Sequence, residues 1–235
     1  MTDTPTEVQP VEAQPADTTP VEAIPAPLPR GHSRTVTWLR RASWVFMGTA
    51  VLLIGYVGLL IGYESYQQHR LSSLFAERVP AATVHDVKFT SATLPIQRPH
   101  LADGEPIAKV ELPKVHFDAI VTEGSDSGIL SSGPGHDDHT GYPGEGRLIV
   151  IGNHNGFSGS WGDMQVGDPI VVTMSYGRFH YTVTKREIVP GDDTSVVAKH
   201  FSDGETLVLS TCWPLWQGAF ARERLVFEAT PAVSS

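Results

Sequence analysis

The sequence predicts an all-β domain that follows a single membrane-spanning helix. One long uncharged apolar run lies near the N-terminus and has the length and composition of a transmembrane helix. After residue 105 the chain changes to short runs rich in β-branched residues, separated by Gly, Pro and Asp, with no long helical periodicity between them. Short strands at this spacing are typical of an antiparallel sandwich or barrel.

The composition argues against several classes of function. The formal net charge is -9, which is unfavourable for a nucleic-acid partner. The single cysteine excludes an intramolecular disulfide and a cysteine-based zinc site. The ten histidines are scattered and lack the HExxH or HxH spacing of a metal site. We therefore predict that no metal is bound.

Residues 1–41 are predicted to be a disordered, proline-rich tail with a basic flank. Within residues 1–29 large apolar side chains are almost absent, so this part cannot bury a core. A spacer is the simpler interpretation, and a partner-binding segment is the alternative. The tail has a regular rhythm of prolines at Pro5, Pro10, Pro15, Pro20 and Pro25.

Residues 42–63 form the predicted transmembrane helix, with Trp44 and Tyr63 near its ends, where aromatic side chains prefer to lie. A secretory signal peptide fits less well, because its apolar region would be shorter, nearer Met1 and followed by a small-residue cleavage site. The positive-inside rule places the tail in the cytoplasm and everything after Tyr63 outside, in a single-pass protein of the cell membrane. That rule depends here on Arg30, Arg34, Arg40 and Arg41.

Residues 64–104 are predicted to be an extracytoplasmic stalk. Residues 64–78 can continue as an amphipathic helix, and the segment after it is loose and contains prolines. The main domain is predicted to occupy residues 105–235. Its strands are expected at residues 108–112, 119–122, 147–151, 169–174, 179–188, 206–211 and 225–229.

The last two predicted strands bring a thiol next to a guanidinium. Residues 207–212 and 224–228 alternate in polarity, and the loop between them is short enough for an antiparallel hairpin. Pro214 makes the chain irregular just after Cys212. In such a hairpin the end of the first strand lies beside the start of the second, so Cys212 and Arg224 should be neighbours. A nearby cation favours the thiolate and can bind a developing oxyanion.

Cys212 has two interpretations. A lone cysteine is more often a small, buried apolar residue. The predicted topology, however, exports Cys212 to a compartment where free thiols tend to be oxidised, and an unpaired cysteine there indicates a reactive thiol. Together with its neighbour Arg224, this predicts a nucleophile at Cys212.

Four segments, taken in order, resemble the sortases, a family of membrane-anchored cysteine transpeptidases. IAKVELPKVHFDAIVTEG resembles the family's opening strand, and LSSGPGHDDHTGYPGEGRLIVIGNH is similar to the block that leads to its histidine. ETLVLSTC is similar to the strand that ends in the nucleophile, and RERLVFEA to its partner. These segments are spread over residues 106–229. The chain looks closer to the class D and E sortases than to classes A or B.

The resemblance implies a closed eight-stranded β-barrel with a cysteine, a histidine and an arginine at one end. Carried onto this chain, the catalytic residues are Cys212, His154 and Arg224. Arg224 has the family's spacing to the small residue that follows, whereas Arg222 falls too early. The family's histidine directly follows a glycine. Here Asn153 intervenes, and we expect a local bulge to accommodate the extra residue.

The resemblance also implies the reaction. The protein would cleave a C-terminal LPxTG-like sorting signal of exported proteins and join the acyl product to an amine of a cell-wall precursor or pilin subunit. That chemistry needs neither a metal nor an organic cofactor. Ser210, Thr211 and Trp213 flank the nucleophile and are expected to line the substrate groove. A non-catalytic membrane-anchored β-domain that binds a cell-envelope polymer or protein is the alternative.

Other polar residues are expected to be structural. His136 and His139 lie in a loop rich in Gly and Asp, which favours a solvated or structural role. Asp192 and Asp193 follow Pro190-Gly191 and have the character of turn residues, with a calcium site as the alternative.

Overall fold

The computed structural model describes residues 34–80, 84–89, 101–154, 156–199 and 204–232. Of the tail predicted to be disordered, residues 1–41, the first 33 residues lie outside these ranges, as does much of the segment predicted to be a loose stalk. The chain divides into two compact units, Met1–Val51 and Leu52–Ser235.

Helix α1 spans Arg34–Arg78 without a break. It includes the predicted transmembrane segment and the predicted amphipathic segment after it. It also includes residues 34–41, the basic flank of the tail that was predicted to be disordered. The helix is long and apolar enough to cross a membrane, and its most apolar part is not buried within the protein. Side chains such as Leu52 and Ile54 are therefore exposed, as a lipid-facing helix requires.

Eight strands form the closed barrel predicted from the sequence. Around the barrel they are ordered β1-β2-β3-β4-β7-β8-β6-β5, and only the β2–β3 and β4–β7 pairs are parallel. Two short helices, α2 (Ser127–Leu130) and α3 (Ser195–Lys199), lie in the connections. The strands are β1 (Pro106–Leu112), β2 (Phe117–Glu123), β3 (Gly135–His136), β4 (Leu148–Asn153), β5 (Pro169–Met174), β6 (Gly177–Pro190), β7 (Thr206–Trp213) and β8 (Glu223–Pro231).

Strand β3 is the one that the sequence did not predict. It consists of Gly135 and His136, which pair with β2 on one side and with β4 on the other. Two residues are too few to show alternation in polarity, so no pattern marks this strand. The barrel nevertheless needs it, because β3 closes the gap between β2 and β4.

The alternation of each strand divides its side chains between the barrel core and an outer face. Leu207, Leu209, Leu225 and Phe227 belong to the main core cluster and are fully buried. Val208, between the two leucines, belongs instead to a separate outer cluster with Leu148, Val189 and Val226. Burying one such side chain stabilises the fold by about 1.5–3 kcal/mol.

The strand directions define the two ends of the barrel. Parallel strands β4 and β7 both finish at the end that we call the Cys212 end, where β8 begins. Strand β6 is antiparallel to β8, so it also finishes there, at Pro190. Strand β5 runs antiparallel to β6, and the hairpin of Met174 and Gly177 that joins them lies at the opposite end.

Within the second unit, the C-terminal part of α1 packs on the barrel. Phe75 and Val79 form a buried cluster with Ile120 of β2. The amide of Gln68 accepts a hydrogen bond from the backbone N–H of Ile120 at 3.0 Å and donates one to the carbonyl of Ser132 at 2.7 Å. Residues 64–78 are thus a helix that lies against the barrel rather than a free spacer.

Candidate active site

The strand register brings the three predicted catalytic residues into one row at the Cys212 end. Cys212 of β7 is paired directly with Arg224 of β8. On the other side of β7, Asn153 of β4 is paired with Thr211. His154 follows Asn153, so one further step along the parallel register brings it level with Cys212.

This row lies on the outer face of the barrel. Thr211 and Leu225 are buried in the interior, and their neighbours Cys212 and Arg224 therefore face outwards by alternation. The same alternation, continued past the buried Asn153, places His154 on the outer face as well. Cys212 is a free cysteine of intermediate exposure.

The expected bulge at Asn153 is absent. The β4–β7 ladder advances without a register shift from the pair Leu148–Thr206 to the pair Asn153–Thr211. The extra residue extends β4 instead, because Asn153 turns its side chain inwards and continues the ladder. Among the residues that the structure describes, both atoms of its buried amide lack a hydrogen-bond partner, an arrangement that costs about 1–3 kcal/mol when such a group stays unpaired.

The loop that carries His154 is held to the nucleophile strand by Ser158, a residue that the sequence analysis did not single out. The Ser158 hydroxyl contacts the carbonyl of His154 at 3.1 Å and the hydroxyl of Thr211. Because a carbonyl can only accept, the Ser158 hydroxyl donates its one proton to the His154 carbonyl. It therefore accepts the hydrogen bond from the Thr211 hydroxyl. The His154 carbonyl also accepts from the backbone N–H groups of Phe157 and Ser158. No local motif marks Ser158, since its partner on β7 is distant in sequence.

Arg224 and Arg222 occupy different surroundings. The Arg224 guanidinium donates to the carbonyl of Glu223 at 3.1 Å and lies beside Gly191, where an added Cβ would come within 3.3 Å of it. Arg222 is exposed, and its backbone carbonyl accepts from the Gly191 N–H at 2.7 Å. Only Arg224 is level with Cys212.

The three residues predicted to line the groove face different ways. Ser210 lies on the same outer face as Cys212. Thr211 is buried, and its hydroxyl bonds to Ser158. Trp213 packs partly against the barrel core, with the Arg186 guanidinium 5.9 Å from its ring centre. A role in the groove remains a prediction for all three, and for Thr211 it would have to involve the backbone.

His136 is buried in a polar cluster away from the reactive row. Its Nδ1 lies 3.1 Å from the Glu123 carboxylate, and its Nε2 donates to the Gly141 carbonyl at 2.9 Å. Tyr142 stacks on the ring and donates to the other oxygen of Glu123 at 2.9 Å. His136 is therefore buried rather than solvated, which agrees with a structural role, one of the two roles expected for it. His139 is highly exposed and contacts Asp138 at 2.7 Å.

The predicted calcium alternative gains no support from geometry. The Asp193 carboxylate accepts from the backbone N–H of Ser195 at 2.8 Å at the start of α3. Hydrogen bonds from the Ser195 side chain and backbone lower the pKa of Asp193 below its usual value. Within the described ranges, the ligand-type side chains that converge are instead Asp137, Asp138 and His139. Exposed acidic groups of this kind are common without an ion.

The chemistry available in the row is that of a covalent acyl transfer. A thiol supplies a nucleophile, an imidazole can move protons, and a guanidinium can stabilise negative charge on oxygen. Cys212 and Arg224 lie on the adjacent strands β7 and β8, and His154 directly follows β4 on the other side of β7. None of them needs a metal for this chemistry.

Known structures share the barrel. A Clostridium perfringens Sortase D5 transpeptidase has a TM-score of 0.52 at 24% identity, covering 57% of this chain and 82% of that chain. The SrtF sortase from Corynebacterium diphtheriae has a TM-score of 0.51 at 20% identity, covering 60% and 92%. At these identities the likeness supports the fold.

Sequence relatives identify the family. Sortase D of Bacillus subtilis (strain 168) is 33% identical over 112 residues, which is 47% of this chain and 56% of that protein. The chain thus spans little more than half of that relative's length. The family model described as "Sortase domain" matches residues 110–232, more than half of the chain and almost the entire barrel. The protein therefore belongs to the sortase family.

Proposed function

We propose that this protein is a membrane-anchored cysteine transpeptidase with Cys212, His154 and Arg224 as its catalytic residues. Its substrates would be exported proteins that carry a C-terminal LPxTG-like sorting signal. The acyl product would be joined to an amine of a cell-wall precursor or pilin subunit. The observation that carries this proposal is the register that makes Cys212 the neighbour of Arg224 and brings His154 level with both.

The first half of the reaction forms a thioester. The Cys212 thiolate attacks the scissile carbonyl carbon, and the resulting oxyanion is stabilised by Arg224. The carbon–nitrogen bond then breaks. The leaving amine takes its proton from the His154 imidazolium, which becomes neutral imidazole.

The second half transfers the acyl group. The incoming amine attacks the thioester carbon and gives a proton to His154, and the carbon–sulfur bond breaks to regenerate the thiolate. The proton that His154 lost in the first half is thereby restored, so no other reactant is needed. Ser210 and Trp213 would contact the peptide on either side of the nucleophile.

Anchoring and orientation belong to the same proposal. The helix and the sortase domain indicate a membrane-anchored protein. The arginines before the apolar run favour a cytoplasmic N-terminus and a catalytic domain outside. A substrate that is itself exported would then meet the enzyme on the outer side of the membrane.

Trapping the thioester tests the proposal directly. Incubation with a sorting-signal peptide should give an adduct on Cys212 that hydroxylamine cleaves, and Cys212→Ala should give none. His154→Ala should form little adduct and release it slowly, because both amines lose their proton partner. His139→Ala is the matched control, since His139 is highly exposed and lies in the connection between β3 and β4.

Two results would contradict the proposal. Near-normal turnover in His154→Ala would remove the acid–base assignment while leaving the nucleophile. A Cys212 thiol that reacts with neither peptide nor iodoacetamide would favour the non-catalytic β-domain that binds a cell-envelope component.

A further inference from the structure

The described part of the barrel exposes its large apolar side chains at one end. Val166 lies in the loop before β5, and Ile188 lies two positions before the end of β6. Trp216 and Phe220 lie in the turn Leu215–Phe220 that follows β7, and they are 82% and 86% exposed. All four positions are at the Cys212 end. A concentration of exposed apolar side chains marks an interaction surface.

The direction of α1 along the barrel is set by contacts at both ends of its docked part. Arg78 forms an ion pair with Glu105 at 3.1 Å, just before β1 begins at the opposite end of the barrel. Glu64, fourteen positions earlier, lies beside Gly156 in the loop after His154. An added Cβ on Gly156 would lie 3.3 Å from its carboxylate. The helix therefore passes the Cys212 end at Glu64.

Glu64 is also the first charged residue after the apolar run. In a membrane-spanning helix the apolar run lies in the hydrocarbon and the first charged residue lies in the interfacial region. Leu52–Tyr63 belongs to the same compact unit as the barrel. With α1 as the anchor, the Cys212 end of the barrel would lie at the level of the lipid headgroups.

We propose that the Cys212 end rests on the membrane surface, with Trp216 and Phe220 as its lipid-contacting residues. This inference depends on the proposed anchoring by α1. Tryptophan is enriched at membrane interfaces because its ring is amphipathic, and an exposed phenylalanine beside it adds apolar area that lipid can bury. The reactive row then opens close to the bilayer, where it can meet a substrate that is itself held at the membrane.

The test uses the full chain reconstituted in phosphatidylcholine vesicles with and without doxyl-labelled lipid. Cys212→Ala removes the only cysteine, so each added cysteine can be labelled alone with an environment-sensitive fluorophore. Trp216→Cys and Phe220→Cys report on the proposed contact. Ser175→Cys is the matched control, because Ser175 is also exposed but lies in the β5–β6 hairpin at the opposite end. Leu53→Cys reports on insertion of the anchor.

We expect doxyl lipid to quench the labels at residues 216 and 220 severalfold more than the label at residue 175. Equal quenching at all three sites would overturn the contact. Labels at 216 and 220 that are shielded from aqueous iodide yet not quenched by lipid would overturn the lipid contact and assign this surface to a second copy of the chain instead. Failure to quench the label at residue 53 would overturn the anchoring, and the contact with it. Quenching at 53 alone would overturn only the contact.

Discussion

At the residue scale, Arg224 and Arg222 are two positions apart at the start of β8, and only Arg224 pairs with Cys212. Arg224→Ala should lower kcat by about a hundredfold or more with little change in stability, because the guanidinium stabilises charge present mainly in the transition state. Arg224→Lys should also be poor, since an ammonium lacks the planar donors of a guanidinium. Steady-state kinetics with a sorting-signal peptide give the measurement.

Arg222→Ala is the control for this prediction. Its side chain is exposed, and its link to Gly191 is through the backbone, so the loss of activity should be small. If Arg222→Ala were the inactive variant and Arg224→Ala the mild one, the assignment of the oxyanion-binding arginine would be wrong.

Ser158 is a positioning residue, because it acts on the reactive row through His154 and Thr211. Ser158→Ala should leave the Thr211 hydroxyl without this partner and free the loop of His154. We expect kcat to fall several-fold with KM nearly unchanged, and stability to fall by about 1–3 kcal/mol. If Ser158 had a purely structural role, the substitution would lower the stability only. At temperatures where the variant is fully folded, both kcat and KM would then be unchanged. Ser160→Ala, in the same turn, should leave both kinetic constants unchanged.

At the scale of elements, one side-chain amide supplies hydrogen bonds between α1 and the backbone of the barrel. Gln68 satisfies the N–H of Ile120 and the carbonyl of Ser132, as a neighbouring strand would. Gln68→Leu should leave these backbone groups unpaired, at a cost of about 1–3 kcal/mol per group. Hydrogen exchange at the Ile120 amide should therefore become faster.

Gln67 provides the matched control. It precedes Gln68 on the helix, and its amide donates to the Tyr63 hydroxyl of the same helix at 3.1 Å. Gln67→Leu should leave exchange at Ile120 unchanged. Unchanged exchange in Gln68→Leu as well would show that the apolar contacts of Phe75 and Val79 suffice to hold the helix.

At the scale of the whole molecule, the charge distribution around the apolar run predicts the topology. Protease added to intact protoplasts should degrade the domain after Tyr63 and spare an epitope placed before Arg30. Immunoblots against the two parts provide the measurement, with lysed protoplasts as the control in which both are degraded. Protection of the C-terminal domain in intact protoplasts would show that the orientation is the reverse. Cys212 would then lie in the cytoplasm, where an unpaired cysteine does not indicate a reactive thiol.

Local patterns in the sequence determined much of this protein. The apolar run predicts the helix by length and composition alone. Alternation predicts the strands, and the structure extends several of them by one or two residues because hydrogen-bonded ladders continue past the apolar pattern, as at both ends of β6. The proximity of Cys212 to Arg224 was predictable too, since the two residues lie at the end and at the start of strands that follow one another in the chain.

The tertiary structure decided what depends on partners distant in sequence. Strand β3 exists because β2 and β4 hold it between them, and its two residues carry no pattern of their own. The parallel pairing of β4 with β7 brings His154 to Cys212 and Ser158 to Thr211. Helix α1 lies on the barrel in part because the backbone N–H of Ile120 in β2 donates to the Gln68 side chain instead of to a neighbouring strand. Such contacts are selected by the packing of the closed barrel, which no short window of sequence contains.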